Sequence, residues 1–207
     1  MITIIDYGLG NIQAFVTCYK KLNIKTSIAS SCNDILNAQK LILPGVGSFD
    51  AAISKLDQSG LKNSIQEKVI NDGCPILGVC VGMQIMAHSS EEGSCKGLGW
   101  IDASVKSFST NFTKNSISLP SPHMGWNTID EENNFLFHGI HEKQFYFLHS
   151  YFFSNECAFE HTAYTNYGFK FVSSFVSRNI MGTQFHPEKS HKAGLQLLKN
   201  FADGPLS

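Results

Sequence analysis

The sequence predicts an α/β fold of three layers, with a mostly parallel, doubly wound sheet and an added antiparallel β segment in the second half. Three observations support this fold class. Before Ser89, apolar runs alternate with segments of helical periodicity, which is typical of a parallel sheet covered by helices. Turn-forming residues separate each run from the next. After Gly93 the segments become short, aromatic and β-rich, which favours an antiparallel meander packed on one side of the first layer.

The first half is expected to supply four strands and four helices. Apolar or β-branched runs predict strands at residues 2–5, 24–29, 40–43 and 76–78. Asn11 is a suitable N-cap for the first helix, whose apolar residues recur at helical spacing. Further helices are predicted to open at residues 33–34 and to cover residues 49–57 and 61–71. Gly73 and Pro75 suit the end of the last of these helices.

The second half is expected to be mainly β-structure. Strands are predicted at residues 100–108, 126–129, 145–153, 161–167, 171–176 and 179–184. Leu195, Leu198 and Phe201 recur at helical spacing, which predicts a closing helix over residues 190–201. Neither a linker nor an internal repeat divides the chain, so residues 1–207 are expected to form a single domain.

Charge and composition exclude several classes of function. The chain has 207 residues, a net charge of −1 and a single arginine, Arg178, so nothing predicts a nucleic-acid or anionic-membrane surface. No apolar run reaches the roughly 18 residues that a membrane span needs. Residues 1–6 lack the basic start of a signal peptide. A globular protein without nucleic-acid or membrane partners is therefore expected.

The cysteines predict a reduced, cytoplasmic protein. The six thiols include no C-x-x-C pair, so they resemble neither a zinc framework nor a dense disulfide scaffold. They are Cys18, Cys32, Cys74, Cys80, Cys95 and Cys157. No metal and no cofactor is expected.

Cys80 is the candidate nucleophile. Residues 78–82 read Gly-Val-Cys-Val-Gly, directly after a short apolar run and before apolar residues at helical spacing. Small residues two before and two after a nucleophile allow a sharp turn from strand to helix, which exposes the side chain at the helix N-terminus. Free N–H groups and the helix dipole stabilise a thiolate there. The alternative is a buried structural cysteine, the commoner fate of this residue type.

A glycine-rich loop follows the third predicted strand. Residues 44–49 read Pro-Gly-Val-Gly-Ser-Phe, and their N–H groups can form an anion-binding nest, although an ordinary turn capped by Ser48 is the alternative. In a doubly wound sheet this loop and Cys80 lie at the same edge, beyond the carboxyl ends of the strands. Gly8 and Gly10 suggest a dinucleotide motif or a flavodoxin-like nucleotide-binding module, but Gln13 stands where the third glycine would be required.

His186 is the candidate base among eight histidines. It ends a predicted strand, Pro187 fixes the backbone after it, and Glu188 can reach its imidazole if the turn folds back. The alternative is a strand-end turn with a solvated glutamate. A zinc site that uses Cys80 and His186 lacks a third suitably spaced ligand and is disfavoured.

Three motifs, in this order, resemble the class I (triad) glutamine amidotransferases. They are Pro-Gly-Val-Gly at 44–47, Gly-Val-Cys-Val-Gly-Met-Gln at 78–84 and Gln-Phe-His-Pro-Glu-Lys-Ser at 184–190. Asp-Tyr-Gly-Leu-Gly-Asn at 6–11, Pro-His-Met-Gly-Trp-Asn at 122–127 and Phe-Tyr-Phe-Leu-His-Ser-Tyr at 145–151 narrow the resemblance to glutaminase subunits of imidazole glycerol-phosphate synthases. The resemblance covers essentially the whole chain and implies a flavodoxin-like fold.

The resemblance implies hydrolysis of glutamine to glutamate and ammonia through a cysteine thioester. Cys80 is then the nucleophile, His186 the general base and acid, and Glu188 the residue that orients the imidazole. Val81 and Val46 are the candidate oxyanion donors. The candidate glutamine-binding residues are Gly45, Gly47, Gln84, His149, Ser150 and Tyr151.

The resemblance also implies a partner. In the family this is a (β/α)₈-barrel cyclase subunit, which forms a heterodimer and makes imidazole glycerol phosphate and AICAR in histidine biosynthesis. The matched interface candidates are Asn11, Met124, Trp126 and Lys189, whose alternatives are a helix cap, two core residues and a solvated lysine.

Two other functions remain open from the sequence. One is a paralogous glutaminase that supplies ammonia to an amidotransferase of surface-polysaccharide sugars, which Gly-Leu-Gly-Trp-Ile at 97–101 resembles. The other is a non-catalytic scaffold subunit, which the intact triad disfavours.

Overall fold

The first half of the chain alternates strands and helices, as predicted. The computed structural model describes residues 1–131, 134–154 and 159–204. The strands are β1 (Ile2–Ile5), β2 (Thr26–Ala29), β3 (Leu41–Gly45) and β4 (Ile76–Cys80). The helices are α1 (Ile12–Lys21), α2 (Cys32–Leu36), α3 (Phe49–Ser59), α4 (Lys62–Gln66) and α5 (Val81–Gln84). A π-helical turn, Glu67–Asn71, continues α4 to the end of the segment predicted as helix.

The first helices begin at polar caps. The Asn11 side chain accepts a hydrogen bond from the Ala14 N–H at 3.1 Å and starts α1 as predicted. The Ser48 hydroxyl accepts from the Ala51 N–H at 3.4 Å at the start of α3. Each cap satisfies one of the backbone donors that a helix N-terminus leaves unpaired. These caps set the direction in which the chain leaves β1 and β3.

The second half contains nine strands and two helices among the described residues. The strands are β5 (Ser89–Ser90), β6 (Ser104–Ser107), β7 (His123–Thr128), β8 (Asp130–Glu131), β9 (Gln144–His149), β10 (Tyr151–Phe153), β11 (His161–Asn166), β12 (Lys170–Ser177) and β13 (Ile180–Thr183). The helices are α6 (Phe108–Asn115) and α7 (His191–Asp203), the latter being the predicted closing helix.

One mixed sheet runs through most of the molecule. Its order is β2-β1-β3-β4-β13-β12-β10-β6-β5; β11 joins this sheet through β12, and β8 pairs with β11. The run from β2 to β13 is entirely parallel. Every residue of β1, β3, β4 and β13 is buried, as expected for parallel strands covered on both faces. The helices pack as two groups, α1 with α7, and α4 with α2 and α3.

The predicted antiparallel segment is present but is divided differently. Strands β12, β10, β6 and β11 extend the main sheet through antiparallel pairs, rather than packing as a separate layer upon it. β7 and β9 form a separate two-stranded antiparallel sheet. β13, predicted within the meander, pairs in parallel with β4 because its four buried residues suit a central position.

A helix replaces the end of one predicted strand. In the segment 100–108 only Ser104–Ser107 is a strand, and Phe108 begins α6, which the sequence did not predict. The Ser107 hydroxyl caps this helix by accepting from the Thr110 N–H at 3.4 Å. Phe108 is fully buried against the aromatic rings of Phe152 and Phe171, so tertiary packing decides the local structure here.

Two further predictions concern the membrane and the cysteines. Within the described residues, no helix is long and apolar enough to cross a bilayer. Cys18, Cys32, Cys74, Cys80 and Cys95 are free thiols, and Cys157 lies outside the described residues.

Candidate active site

Cys80 lies on a strained turn between β4 and α5. Its backbone has φ 55° and ψ −113°, a conformation that non-glycine residues rarely adopt and that costs about 1–3 kcal/mol. A Cβ at Gly78 would lie 2.7 Å from the Gly82 carbonyl oxygen, and a Cβ at Gly82 would lie 2.0 Å from the Leu43 carbonyl oxygen. The two glycines of the motif are therefore required by close backbone packing, and the surrounding structure holds Cys80 in the strained geometry.

His186 and Glu188 form a buried pair beside this turn. β13 lies next to β4, so the chain that leaves β13 brings His186 to the carboxyl end of β4. His186 Nδ1 lies 2.8 Å from Glu188 Oε1, and the two side chains are only 4% and 3% exposed. Because Nδ1 faces the carboxylate, Nε2 is the ring atom that remains for the Cys80 side chain, which lines the same cavity.

The surroundings of His186 favour its protonated form. Burial lowers the pKa of the imidazole, but hydrogen bonds to Cys80 and Glu188 and the negative charges of both groups outweigh this effect. The pKa of His186 is thereby raised to about 10. A proton accepted by His186 is consequently held at neutral pH until a more basic atom is presented to it.

A cavity of about 280 Å³ opens in front of Cys80. It contains almost the whole set of residues predicted for catalysis and glutamine binding. The predicted residues that line it are Val46, Gly47, Cys80, Val81, Gln84, His149, Ser150, Tyr151, His186 and Lys189. They come from the carboxyl ends of β3 and β4, from β9–β10 and from the segment after β13. Three distant parts of the sequence thus converge at the predicted edge of the sheet.

Gly45 does not line this cavity. It is the last residue of β3, and a Cβ there would lie 2.1 Å from the Gly82 backbone nitrogen and 2.6 Å from the Val81 carbonyl carbon. Its missing side chain lets β3 pack against the start of α5, and a contact between Gly45 and glutamine stays a prediction.

Among the four interface candidates, Asn11, Met124 and Trp126 do not line this cavity, whereas Lys189 does. Met124 and Trp126 are 66% and 47% exposed on β7, so the core alternative does not hold for them. In the two-stranded sheet Met124 lies opposite Leu148 of β9. Leu148 is 38% exposed and lines the cavity. Asn11 caps α1, and exposed Lys189 lies with its Nζ 5.8 Å from the Tyr146 ring centroid. Met124, Trp126 and Leu148, hereafter the β7–β9 patch, form an apolar surface beside the cavity mouth.

Sequence reasoning missed Glu92. This residue lines the cavity, and its Oε2 accepts a hydrogen bond from the Phe49 N–H at 2.7 Å, at the start of α3. Glu92 lies between the first half, where strands and helices alternate, and the β-rich second half, and it belongs to no motif. Gln184 belongs to the third motif without a role predicted for it, yet it is fully buried and its Nε2 lies 3.8 Å from Cys80 Sγ. Only the fold brings these two side chains to the site.

The site offers no metal-binding cluster. Among residues 1–131, 134–154 and 159–204, no group of three or more His, Cys, Asp and Glu side chains could hold a metal ion. Cys80 and His186 instead line the same cavity, where each influences the charge of the other.

Comparisons with known proteins agree with this geometry. The family model for class I glutamine amidotransferases matches residues 3–204. Imidazole glycerol phosphate synthase subunit HisH from Bdellovibrio bacteriovorus is 45% identical over 205 residues, which cover 98% of this chain and 100% of the relative. The protein of the same description from Leptospira borgpetersenii is 47% identical over 204 residues, which cover 98% and 99% of the two chains.

Solved structures show the same fold. A crystal structure of a glutamine amidotransferase has a TM-score of 0.71 at 16% identity, with 98% of this chain and 97% of that chain covered. The glutaminase domain of Trypanosoma brucei CTPS, with bound acivicin, has a TM-score of 0.64 at 14% identity, with 99% and 94% covered. Taken with the family model and the close relatives, these likenesses establish that the chain belongs to the class I glutamine amidotransferase family.

Proposed function

We propose that the protein is the glutaminase subunit of an imidazole glycerol phosphate synthase and that residues 1–207 act as one domain. The observation that carries the glutaminase activity is the strained Cys80 turn facing the buried His186–Glu188 pair. The family match over residues 3–204 supports the single domain. The close relatives named as synthase subunits support the assignment to histidine biosynthesis.

In the first half of the reaction, the Cys80 sulfur attacks the side-chain amide carbon of glutamine. The thiol proton resides on His186 Nε2, in keeping with the raised pKa of this imidazole, so the sulfur attacks as a thiolate. The carbon–sulfur bond forms as the carbonyl oxygen becomes an oxyanion. Collapse of this intermediate breaks the carbon–nitrogen bond, and His186 returns its proton to the departing nitrogen, so ammonia and a thioester result. Glu188 keeps Nδ1 protonated, which leaves Nε2 to face the sulfur.

In the second half, water hydrolyses the thioester. His186 Nε2 takes a proton from the water molecule as its oxygen attacks the carbonyl carbon. The carbon–sulfur bond then breaks, and the new carboxyl group releases its proton to solvent as glutamate leaves. His186 keeps the other proton beside the Cys80 thiolate. The same two side chains therefore serve both halves of the reaction.

The oxyanion is stabilised by backbone donors. Val81 is the first residue of α5, where an N–H has no partner within the helix, and Val46 lies in the loop across the cavity. We assign the Val81 and Val46 N–H groups to the oxyanion formed in each half-reaction. Loss of one such donor is worth about 2.7–4 kcal/mol in the activation barrier, so a change in the Val46 peptide would switch activity.

Glutamine binds with its α-ammonium and α-carboxylate groups away from Cys80. Glu92 supplies a negative charge in the cavity wall, which complements the α-ammonium group of glutamine. Gly47, Gln84 and Ser150 provide further polar atoms along the wall, and Tyr151 adds its backbone and ring. A carboxylate in the cavity wall favours an amino acid with a charged α-ammonium group over an uncharged amide.

Ammonia from this site is destined for a partner subunit. Free ammonia is mostly protonated at neutral pH and is then no nucleophile, so release into solvent would waste it. The β7–β9 patch lies beside the cavity mouth and presents apolar surface that a partner can cover. We propose that a (β/α)₈-barrel cyclase docks there and receives the ammonia, with Asn11 and Lys189 at the edge of the contact.

Glutamate formation with and without a partner tests this proposal. The purified chain is mixed with the barrel cyclase of the same organism, and glutamate is measured with and without the cyclase substrate. Activity that rises in the complex supports the synthase assignment. Absence of any glutaminase activity in the complex contradicts it. Activity only with a sugar amidotransferase would retain the chemistry and assign the chain to surface-polysaccharide modification.

A further inference from the structure

The side chain of Gln184 occupies a position under the nucleophile that the triad does not explain. It is fully buried between the end of β13 and His186, and its Nε2 lies 3.8 Å from Cys80 Sγ. A buried amide needs partners for both its oxygen and its nitrogen, because leaving either unpaired costs about 1–3 kcal/mol. The identity of those partners determines which end of the amide faces the sulfur.

The neighbours of Gln184 fix its orientation. The Tyr151 backbone carbonyl can only accept, so Gln84 must direct its NH₂ group toward that oxygen, at 3.0 Å. The same NH₂ group lies 3.0 Å from Gln184 Oε1 and donates its second proton there. A flipped Gln184 would place two NH₂ groups against each other. Gln184 must therefore direct its own N–H, and not its oxygen, toward Cys80.

A buried histidine, His149, donates to the same carbonyl, and a second, His123, contacts the first. His149 Nδ1 donates to the Tyr151 carbonyl at 2.8 Å, so its Nε2 is free to accept from His123 Nδ1 at 3.0 Å. His123 Nε2 then accepts from Asn127 Nδ2 at 3.2 Å, while Asn127 Oδ1 accepts from the Thr128 N–H at 2.8 Å. The proton positions in this series of hydrogen bonds follow from its two ends, where the Tyr151 carbonyl can only accept and the Thr128 N–H can only donate.

This series of hydrogen bonds requires both imidazoles to be neutral, and burial keeps them neutral. Desolvation lowers the pKa of His123 to about 4. Desolvation also lowers the pKa of His149 to about 3, with smaller contributions from the positive charges of His123 and His186. The Tyr151 carbonyl is consequently held by two donors, and the orientation of Gln84 and Gln184 does not change in the neutral range.

We propose that Gln184 is a positioning residue for the nucleophile: its oriented Nε2–H donates to Cys80 Sγ, stabilises the thiolate and holds it toward the cavity. This inference rests on the proposed role of Cys80. Hydrogen bonds to charged acceptors are stronger than neutral ones, and the benefit applies to the thiolate rather than the thiol. Gln84, whose side chain faces the glutamine cavity, thereby also determines the environment of the sulfur.

The test compares Gln184→Met with Gln184→Glu. Methionine keeps the length and removes the donor, whereas glutamate keeps an acceptor for Gln84 and places oxygen against the sulfur. Alkylation of Cys80 by iodoacetamide is followed against pH, with the modified peptide identified by mass spectrometry among the other cysteine peptides. Gln196→Met is the matched control, because Gln196 lies on α7 and donates to Asn200.

We expect Gln184→Met to slow alkylation of Cys80 at neutral pH about tenfold and to raise the pH of half-maximal rate by about one unit. Gln184→Glu should raise the pH of half-maximal alkylation further, and Gln196→Met should leave this pH unchanged. In turnover, kcat should fall about tenfold with KM changed less than about twofold. An unchanged alkylation profile in a folded variant would overturn the inference, even if the melting temperature fell. Because alkylation needs no turnover, this result is independent of the glutaminase assignment.

Discussion

His186 and Glu188 are separated by one residue in the chain, and their side chains hydrogen-bond at 2.8 Å in a site that excludes nearly all solvent. The short 3₁₀ turn Pro187–Lys189 makes this contact possible by bending the chain directly after the imidazole. The same contact contributes to the raised pKa of His186. This turn of three residues thus orients the base and contributes, together with Cys80, to its charge.

The substitution Glu188→Gln should shift the pH dependence of activity. The amide that replaces the carboxylate keeps an acceptor for Nδ1 but removes the negative charge that helps to raise the pKa of His186 to about 10. We expect kcat to fall by about 10²-fold or more, and the alkaline limit of activity to move to lower pH. Measurement of kcat/KM between about pH 6 and 10 checks this expectation. An alkaline limb unchanged from the parent would show that Glu188 does not control the imidazole.

The His123–His149 pair should make the protein sensitive to mild acid. Both folded pKa values are lowered, to about 4 and about 3, whereas the unfolded value is near 6.5. The unfolded state therefore binds more protons below pH 6.5, and stability must fall as the pH falls from there. Each histidine contributes about 1.4 kcal/mol per pH unit at most.

Chemical denaturation between about pH 6.5 and 5 measures this effect, above the range in which most carboxylates titrate. His149→Gln should reduce the dependence of the unfolding free energy on pH, because it removes one of the two titrating imidazoles. The new amide can still donate to the Tyr151 carbonyl, so the hydrogen bond is kept. His138→Gln, at an exposed histidine, is the control variant. Equal slopes in the parent and the His149 variant would contradict the prediction. His186 does not interfere, because its raised pKa affects stability only as the pH rises from 6.5 through about 10.

Gly45→Ala should destabilise the protein strongly. Its Cβ would meet the backbone of Val81 and Gly82, which cannot move without displacing the Cys80 turn. We expect a loss of about 1–3 kcal/mol or more in the free energy of unfolding, together with lower kcat. Gly139→Ala is the comparison: it has a positive φ of 73° but open space around it, so only backbone strain is added. A Gly45 variant as stable as the Gly139 variant would show that the close packing is unimportant.

The β7–β9 patch should be needed for the partner and not for the fold. Met124→Glu places a charge on this patch, where Met124 is 66% exposed, so the melting temperature should stay close to that of the parent. We expect affinity for the barrel cyclase to fall about tenfold or more, which titration calorimetry can measure. Ile70→Glu, at a 47% exposed position on the π-helical turn, is the matched control. Equal affinity for both variants would place the partner elsewhere.

The sequence predicted the centre of the site better than its walls. Cys80 and His186 were found because each lies in a contiguous motif at the end of a strand, and the ends of parallel strands share one edge. The contact between Gln84 and Gln184 spans 100 residues and depends on β13 lying beside β4, an order that a sequence does not reveal. Glu92 was missed for the same reason, because its position in the cavity depends on the hydrogen bond to Phe49.

Local propensity also failed where packing decides the structure. Phe108 follows a β-rich run, yet it starts α6 because its ring is needed inside an aromatic cluster and Ser107 can cap the helix. The loop motif predicts that Gly45 contacts glutamine, and the structure shows that close packing also requires a glycine there. A glycine required for close packing and one required for a ligand cannot be distinguished by sequence position.

A γ-glutamyl thioester on Cys80 is the central claim, and rapid-quench mass spectrometry of the Cys80 peptide tests it most directly. The complex with its partner is mixed with glutamine, quenched in acid and digested. We predict a γ-glutamyl group on Cys80 in the parent, and neither this adduct nor glutamate formation in Cys80→Ala, which should fold normally. Glutamate release by the Cys80→Ala variant at the parent rate would contradict the assignment of the nucleophile.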